Sequence, residues 1–214
     1  HGTVRVLDLG ACALGPFFAP ALARYLVRVP HSGANLEHLE LGGPSGSSLQ
    51  RPNRCRGVAA LGAVLRKACP RLSHLGLSYG GIGLTDEAES TVASLASLAV
   101  QNGVLVTLDV AANAFGRALT PLLRVLPLME SLIELDLAGN DVADWGAEML
   151  SKAMCAAAAG QEVVMEYVST LSGAAAVIAD RKLRDERNRQ ALRSRRLPLR
   201  SLSLAANGIT VHGA

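Results

Sequence analysis

The sequence predicts an α/β solenoid: short parallel strands stacked along a concave face, helices along the convex face, and the stack bent into a horseshoe arc. Three observations predict it. One apolar motif, L-x-x-L-x-L-x-x-N/C-x-L/I, recurs six times along the 214 residues. Apolar stripes at helical spacing lie between the copies. Aromatic residues are only 3% of a chain that is 50% hydrophobic, so the core has to be built from Leu, Val and Ala. Such side chains suit many thin, similar layers better than one large globule.

The first copy is Val4, Leu7, Leu9, Cys12 and Leu14, and the second begins with Leu36, Leu39 and Leu41. The third is Leu72, Leu75, Leu77 and Ile82, and the fourth is Leu105, Leu108, Val110, Asn113 and Phe115. The fifth is Leu132, Leu135, Leu137, Asn140 and Val142, and the sixth is Leu199, Leu202, Leu204, Asn207 and Ile209. Starts are separated by 32, 36, 33, 27 and 67 residues, so the first four intervals each fit one long repeat. The fourth and sixth positions alternate with non-core residues, which is the period of a strand. An Asn after the strand can bond backbone groups that the turn leaves unpaired, and stacked copies can form a ladder. Asn113, Asn140 and Asn207 fill that slot, and Cys12 fills it with a weaker donor. Pro44 and Gly80 hold it in the second and third copies, so those two turns are expected to be irregular.

Helices are expected after each strand, with stripes Ala21–Leu22–Leu26, Leu61–Val64–Leu65, Val92–Leu95–Leu98–Ala99, Leu119–Leu122–Leu123–Leu126 and Met149–Leu150–Ala153–Met154. Asp86 and Glu87 suit the positive end of the third. Pro16, Pro20 and Pro121 fall near helix starts, where a missing N–H costs least. A strand and a helix cannot bury both faces alone, whereas stacked neighbours share a continuous core.

Residues 1–159 thus read as about five repeats, and 198–214 as the start of a further one. Residues 160–197 read as a charged, mostly helical insertion projecting from the stack, in preference to a degraded repeat with a strand over 164–172 and its helix over 174–192. The chain starts at His1 and stops within a repeat, with no polar cap written at either end, so a piece of a longer protein is expected.

Net charge is +3, unevenly placed: residues 181–200 hold nine Lys or Arg against Asp185 and Glu186, leaving a mildly acidic remainder. The four cysteines show no CxxC, which points to a reducing, cytoplasmic setting without disulfides, and Cys12, Cys69 and Cys155 are expected to pack in the core. The longest charge-free run, Ser90 to Leu108, is broken by Gln101, Asn102 and Gly103; it reads as a helix end, a turn and a strand, not a membrane span.

The segments LIELDLAGNDVADWGAEMLSKAM and LRSLSLAANGITVHGA carry a resemblance. With Asn140, Val142, Gly146, Ala147 and Leu150 in the first, and Asn207, Ile209 and Gly213 in the second, the chain resembles leucine-rich repeats of the ribonuclease-inhibitor-like subfamily. The resemblance covers residues 4–160 and 199–214. It implies an intracellular horseshoe that binds proteins, and by analogy alone a GTPase-regulating role.

The outward strand positions form columns. One reads Asp8, Glu40, Gly76, Asp109, Asp136, Ser203, four of them acidic and close enough to repel unless a basic partner relieves them. Asp8, Glu40, Asp109 and Asp136 are therefore the expected docking ridge for another protein's basic surface, with Glu134, His38 and His74 beside it. A solubilising face without a partner is the competing reading. His38 and His74, with Glu40 near, lack the tight spacing of a metal site and read as ordinary surface histidines. Trp145 is expected to pack under the fifth turn. The basic run could bind nucleic acid or an anionic surface, but no aromatics interleave its arginines, and a solvated helix is preferred. No GxSxG, Walker loop or HExxH is present, and the Gly-rich GGPSGS lacks the Lys of a phosphate loop, so neither enzyme activity nor a cofactor is expected.

Overall fold

The structure is a computed structural model, and it describes residues 4–10, 12, 14–15, 17–43, 56–159, 173–183 and 198–210. Six three-residue strands form one open, all-parallel sheet in sequence order. They are β1 (Val6–Asp8), β2 (His38–Glu40), β3 (His74–Gly76), β4 (Thr107–Asp109), β5 (Glu134–Asp136) and β6 (Ser201–Ser203). The middle residue of each is leucine, and the register pairs Leu7, Leu39, Leu75, Leu108, Leu135 and Leu202 across the sheet. The recurrent spacing sets this register, because a one-residue slip would turn every leucine out of the core. Four of these leucines are buried; Leu7 and Leu202, on the edge strands, are partly buried because each lacks one neighbouring layer.

The helices are α1 (Phe18–Arg28), α2 (Val58–Ala68), α3 (Ala88–Asn102), α4 (Thr120–Val125), α5 (Ala143–Ala159) and α6 (Gly173–Leu183). Short 3₁₀ turns lie at Ile82–Leu84 and on both sides of α4, at Gly116–Leu119 and Leu126–Leu128. Pro121 sits in the first turn of α4, where its missing N–H costs nothing, and Pro127 in the following 3₁₀ turn cannot continue the helix, which keeps it short. Helices α1 to α5 pack each on the next, and their apolar faces join the strand leucines in one core.

Several details differ from the periodicity. In α1 the buried residues are Ala19, Ala23 and Leu26, while Ala21 is exposed. Val4 and Met154 are exposed rather than inward. Of the described cysteines, Cys69 is buried but Cys12 and Cys155 are exposed, so two of the three expected core thiols face water. Strand β5 pairs directly with β6, although 67 residues separate their motif starts. Between them, α6 packs on α3 and α4 and buries Ala175, Ile178 and Ala179. Helix α6 itself therefore packs on the stack, and its small side chains let it lie close. The expected strand at 164–172, most of the basic run, Cys55 and the Pro44 turn lie outside the described residues.

The asparagine slot builds the ladder its chemistry allows. Asn140 Oδ1 accepts the backbone N–H groups of Asn113 and Phe115, and its Nδ2 donates to the carbonyls of Val110, Leu137 and Ala138. Asn207 does the same for Asn140 and Val142, and Asn113 for Gly80 and Ile82. Each Asn serves the turn before it. The Gly80 turn is consequently regular, contrary to expectation: Asn113 satisfies it from outside. Tyr79 and Gly81 flank Gly80 in left-handed conformation just as Ala112 and Ala114 flank Asn113, and as Gly139 and Asp141 flank Asn140.

Candidate functional site

Two columns of outward residues border the leucine row. The first is Val6, His38, His74, Thr107, Glu134, Ser201, and the second is Asp8, Glu40, Gly76, Asp109, Asp136, Ser203. All seven residues singled out from the sequence stand in these two columns. Strand geometry puts them there, since residues on either side of an inward leucine share the opposite face.

The acidic column has a local cause that the sequence did not reveal. The N–H of Gly10 donates to Asp8 Oδ1, that of Ala111 to Asp109 Oδ1 and that of Ala138 to Asp136 Oδ1, each at 2.9 Å. The N–H of Gly42 donates to Glu40 Oε1, also at 2.9 Å. A carboxylate at the last strand position thus receives the amide two residues on, where the chain leaves the sheet. This hydrogen bonding offsets part of the repulsion expected between neighbouring carboxylates and stabilises the turn itself. Small residues follow at Gly10, Gly42, Ser78, Ala111 and Ala138 because the chains run close here. A Cβ on Gly10 would collide with the Gly42 carbonyl.

The first column is more closely knit than the spacing suggests. The His38 and His74 rings stack, with centroids 3.9 Å apart and planes 5° from parallel. His74 Nε2 lies 3.3 Å from Glu40 Oε2. These three residues are brought together as a cluster, not spread out as ordinary surface histidines. Gly76 makes the room: a Cβ there would overlap the Glu40 carboxylate. Further along, Thr107 Oγ1 donates to Glu134 Oε2 at 3.2 Å. Thr107 could have been found by extending the column offset through the fourth copy; Gly76 signals only by lacking a side chain. Asp8 and Glu134 are exposed, and Asp109 and Asp136 are half-buried.

Beside this face, Arg5 pairs with Glu37 at 2.6 Å. The hydrogen bond from Arg5, and then its charge, hold the Glu37 carboxyl below the usual carboxylate range. On the helix side of the fifth copy, Trp145 packs against the core as expected, with the Arg117 guanidinium 5.5 Å from its ring centroid.

A protein-family model described as Leucine Rich repeat matches residues 129–151, which span the fifth strand, its asparagine turn and the start of α5. The match supports a leucine-rich repeat protein. No curated protein matches the chain at a significant level. Leucine-rich repeat domains generally mediate protein–protein interaction and are typically non-enzymatic. No described helix is long and apolar enough to cross a membrane.

Proposed function

We propose that this chain is an intracellular protein-interaction scaffold of the ribonuclease-inhibitor-like kind, an arc of repeats that grips a partner on its concave strand face. In this reading residues 1–159 and 198–214 belong to the stack, and 160–197 are an excursion from it. The carrying observation is the register: six strands present two columns on one face that are polar or charged at every position but Val6 and Gly76, while the leucine row between them is buried in the four central strands. Such a surface offers many fixed contacts on rigid elements, which is what an interface needs.

The acidic residues set the partner's character. Asp8, Glu40, Asp109 and Asp136 each have a carboxylate oxygen engaged with the turn, so their positions are fixed before binding. A basic protein surface meets an ordered line of negative charge at little entropic cost.

The test compares partner capture from native extract by the wild-type chain, a strand-face variant (Thr107→Lys, Glu134→Lys) and a helix-face variant (Arg24→Glu, Lys67→Glu). Loss of the captured protein by the strand-face variant alone supports the reading. Equal capture by the strand-face variant and wild type overturns it.

A further inference from the structure

We propose that His38, Glu40 and His74 bind a transition-metal dication of the zinc class. The donors belong to adjacent parallel strands, and the register sets His38 directly opposite His74. One ligand atom from each of the three lies within 4.8 Å of the others. In a tetrahedral zinc site the metal sits about 2.0–2.2 Å from each N or O, which places the ligand atoms about 3.4 Å apart. The cluster therefore needs about an ångström of side-chain movement to close.

Three features make this more than a chance meeting of side chains. Glu40 is already aimed: Gly42 N–H holds Oε1 at 2.9 Å, which turns Oε2 toward His74. Backbone support of this kind orients ligands in metal sites. Gly76, directly opposite Glu40 in the register, supplies the space over which the carboxylate folds. The pair is also partly shielded from water, with the His74 and Glu40 side chains 26% and 19% exposed.

The stacked rings set the mechanism of capture. Parallel imidazoles have parallel in-plane lone pairs, so both cannot point at one ion while stacked 3.9 Å apart. One ring must turn about its side-chain torsions, exchanging a ring contact for a metal–nitrogen bond. Two imidazoles and one carboxylate favour zinc, copper or nickel over magnesium or calcium, which require an oxygen-rich set. Three protein ligands leave the fourth tetrahedral position to water or to a donor from a bound protein.

Calorimetric titration of the full chain with zinc chloride tests this. One ion per chain is expected, with tetrahedral d–d bands when cobalt is substituted. Binding should be lost in His38→Ala and His74→Ala, and weakened by at least about tenfold in Glu40→Gln. His31→Asn, outside the cluster, should bind as wild type. In the wild-type chain, the ring resonances of His38 and His74 should be the first histidine signals to move, a readout that requires no variant to fold. The proposal is overturned if zinc does not bind at millimolar concentration, if binding survives His74→Ala, or if other histidines respond first. Zinc binding does not depend on any partner, so it can fail while the scaffold reading stands, or the reverse.

Discussion

Asn140 ties the turn of Asn113 to its own by a buried relay: the main-chain N–H of Asn113 donates to Asn140 Oδ1 at 3.1 Å, and Asn140 Nδ2 reaches back 30 residues to the Val110 carbonyl at 2.9 Å. Both side chains are fully buried. One side chain thus satisfies backbone groups of two successive layers, so the turns are stabilised jointly. Asn140→Ala would leave the buried N–H groups of Asn113 and Phe115 without this acceptor, whereas the carbonyls of Val110, Leu137 and Ala138 keep Asn113 Nδ2, Asn207 Nδ2 and the Ala112 N–H. A loss of at least about 2 kcal/mol is expected, because each orphaned buried N–H costs about 1–3 kcal/mol. Urea unfolding should show it. Asn140→Asp keeps the acceptor but buries a charge and deletes the donor, and should be no better. A cost under about 1 kcal/mol for Asn140→Ala would mean that the relay is dispensable.

Much of this framework was legible from residue spacing. The leucine triplets fixed the register because their period is that of a strand with one buried face, and the Asn offset announced the ladder because only a donor–acceptor side chain can serve a buried turn. Contacts set by rotamers and by neighbouring layers were not legible. The stacking of His38 on His74 depends on where two rings turn. The regular turn at Gly80 depends on Asn113, one repeat later. The acidic column suggested repulsion alone, since spacing does not say that Asp109 receives the Ala111 amide. Cys12, in the asparagine slot of the first copy, and Cys155, in α5, are both exposed, because spacing fixes a residue's place along the chain and not what neighbouring layers cover.

Two opposite glycine substitutions should separate packing from backbone strain. In a helix interior, Gly→Ala ordinarily stabilises by about 1 kcal/mol. At Gly146 in α5 the added Cβ would collide with Cγ1 of the buried Val142, with Leu123 behind it. Gly146→Ala should therefore destabilise by about 1–3 kcal/mol, as overpacking does. Ala112 has a φ of 53° in its turn, whereas the equivalent position in the next repeat is Gly139 at 64°. Ala112→Gly relieves a left-handed alanine and should stabilise by about 1 kcal/mol. Thermal unfolding of both variants is the check, and matching signs would refute the distinction.

Cysteine reactivity should follow burial. Desolvation pushes the Cys69 thiol up to about 11, so almost none of it is thiolate at neutral pH. Its sulfur also packs against Gly33, where a Cβ would collide with Sγ. Cys12 and Cys155 are exposed. Brief alkylation of the native chain followed by peptide mass mapping should label Cys12 and Cys155 and spare Cys69, which should react only when urea opens the core. Labelling of Cys69 at the rate of the other two would show that the layer beneath α2 opens freely.

Acid should loosen the two edges of the sheet before its centre. At one edge, Arg5 on the chain entering β1 holds Glu37 beside β2. At the other, the Thr210 hydroxyl and then its N–H hold the Asp144 carboxyl below its ordinary range, both at 2.7 Å, tying the segment after β6 to α5. Both carboxyl pKa values are lower in the folded chain than in the unfolded chain. Their contribution to stability is therefore present above the ordinary carboxylate pKa of about 4, and is lost as pH falls through the lower folded values. Both groups lie at the surface and are partly exposed, so the effect is local and salt-sensitive rather than global. Hydrogen exchange, expressed as protection relative to the unstructured chain, should fall at β1 and β6 between neutral pH and about pH 3, while β3 and β4 hold. Asp144→Ala should remove the acid response at the β6 edge alone. Protection that falls evenly across all six strands, or a β6 response that survives Asp144→Ala, would place the acid-sensitive contacts elsewhere in the fold.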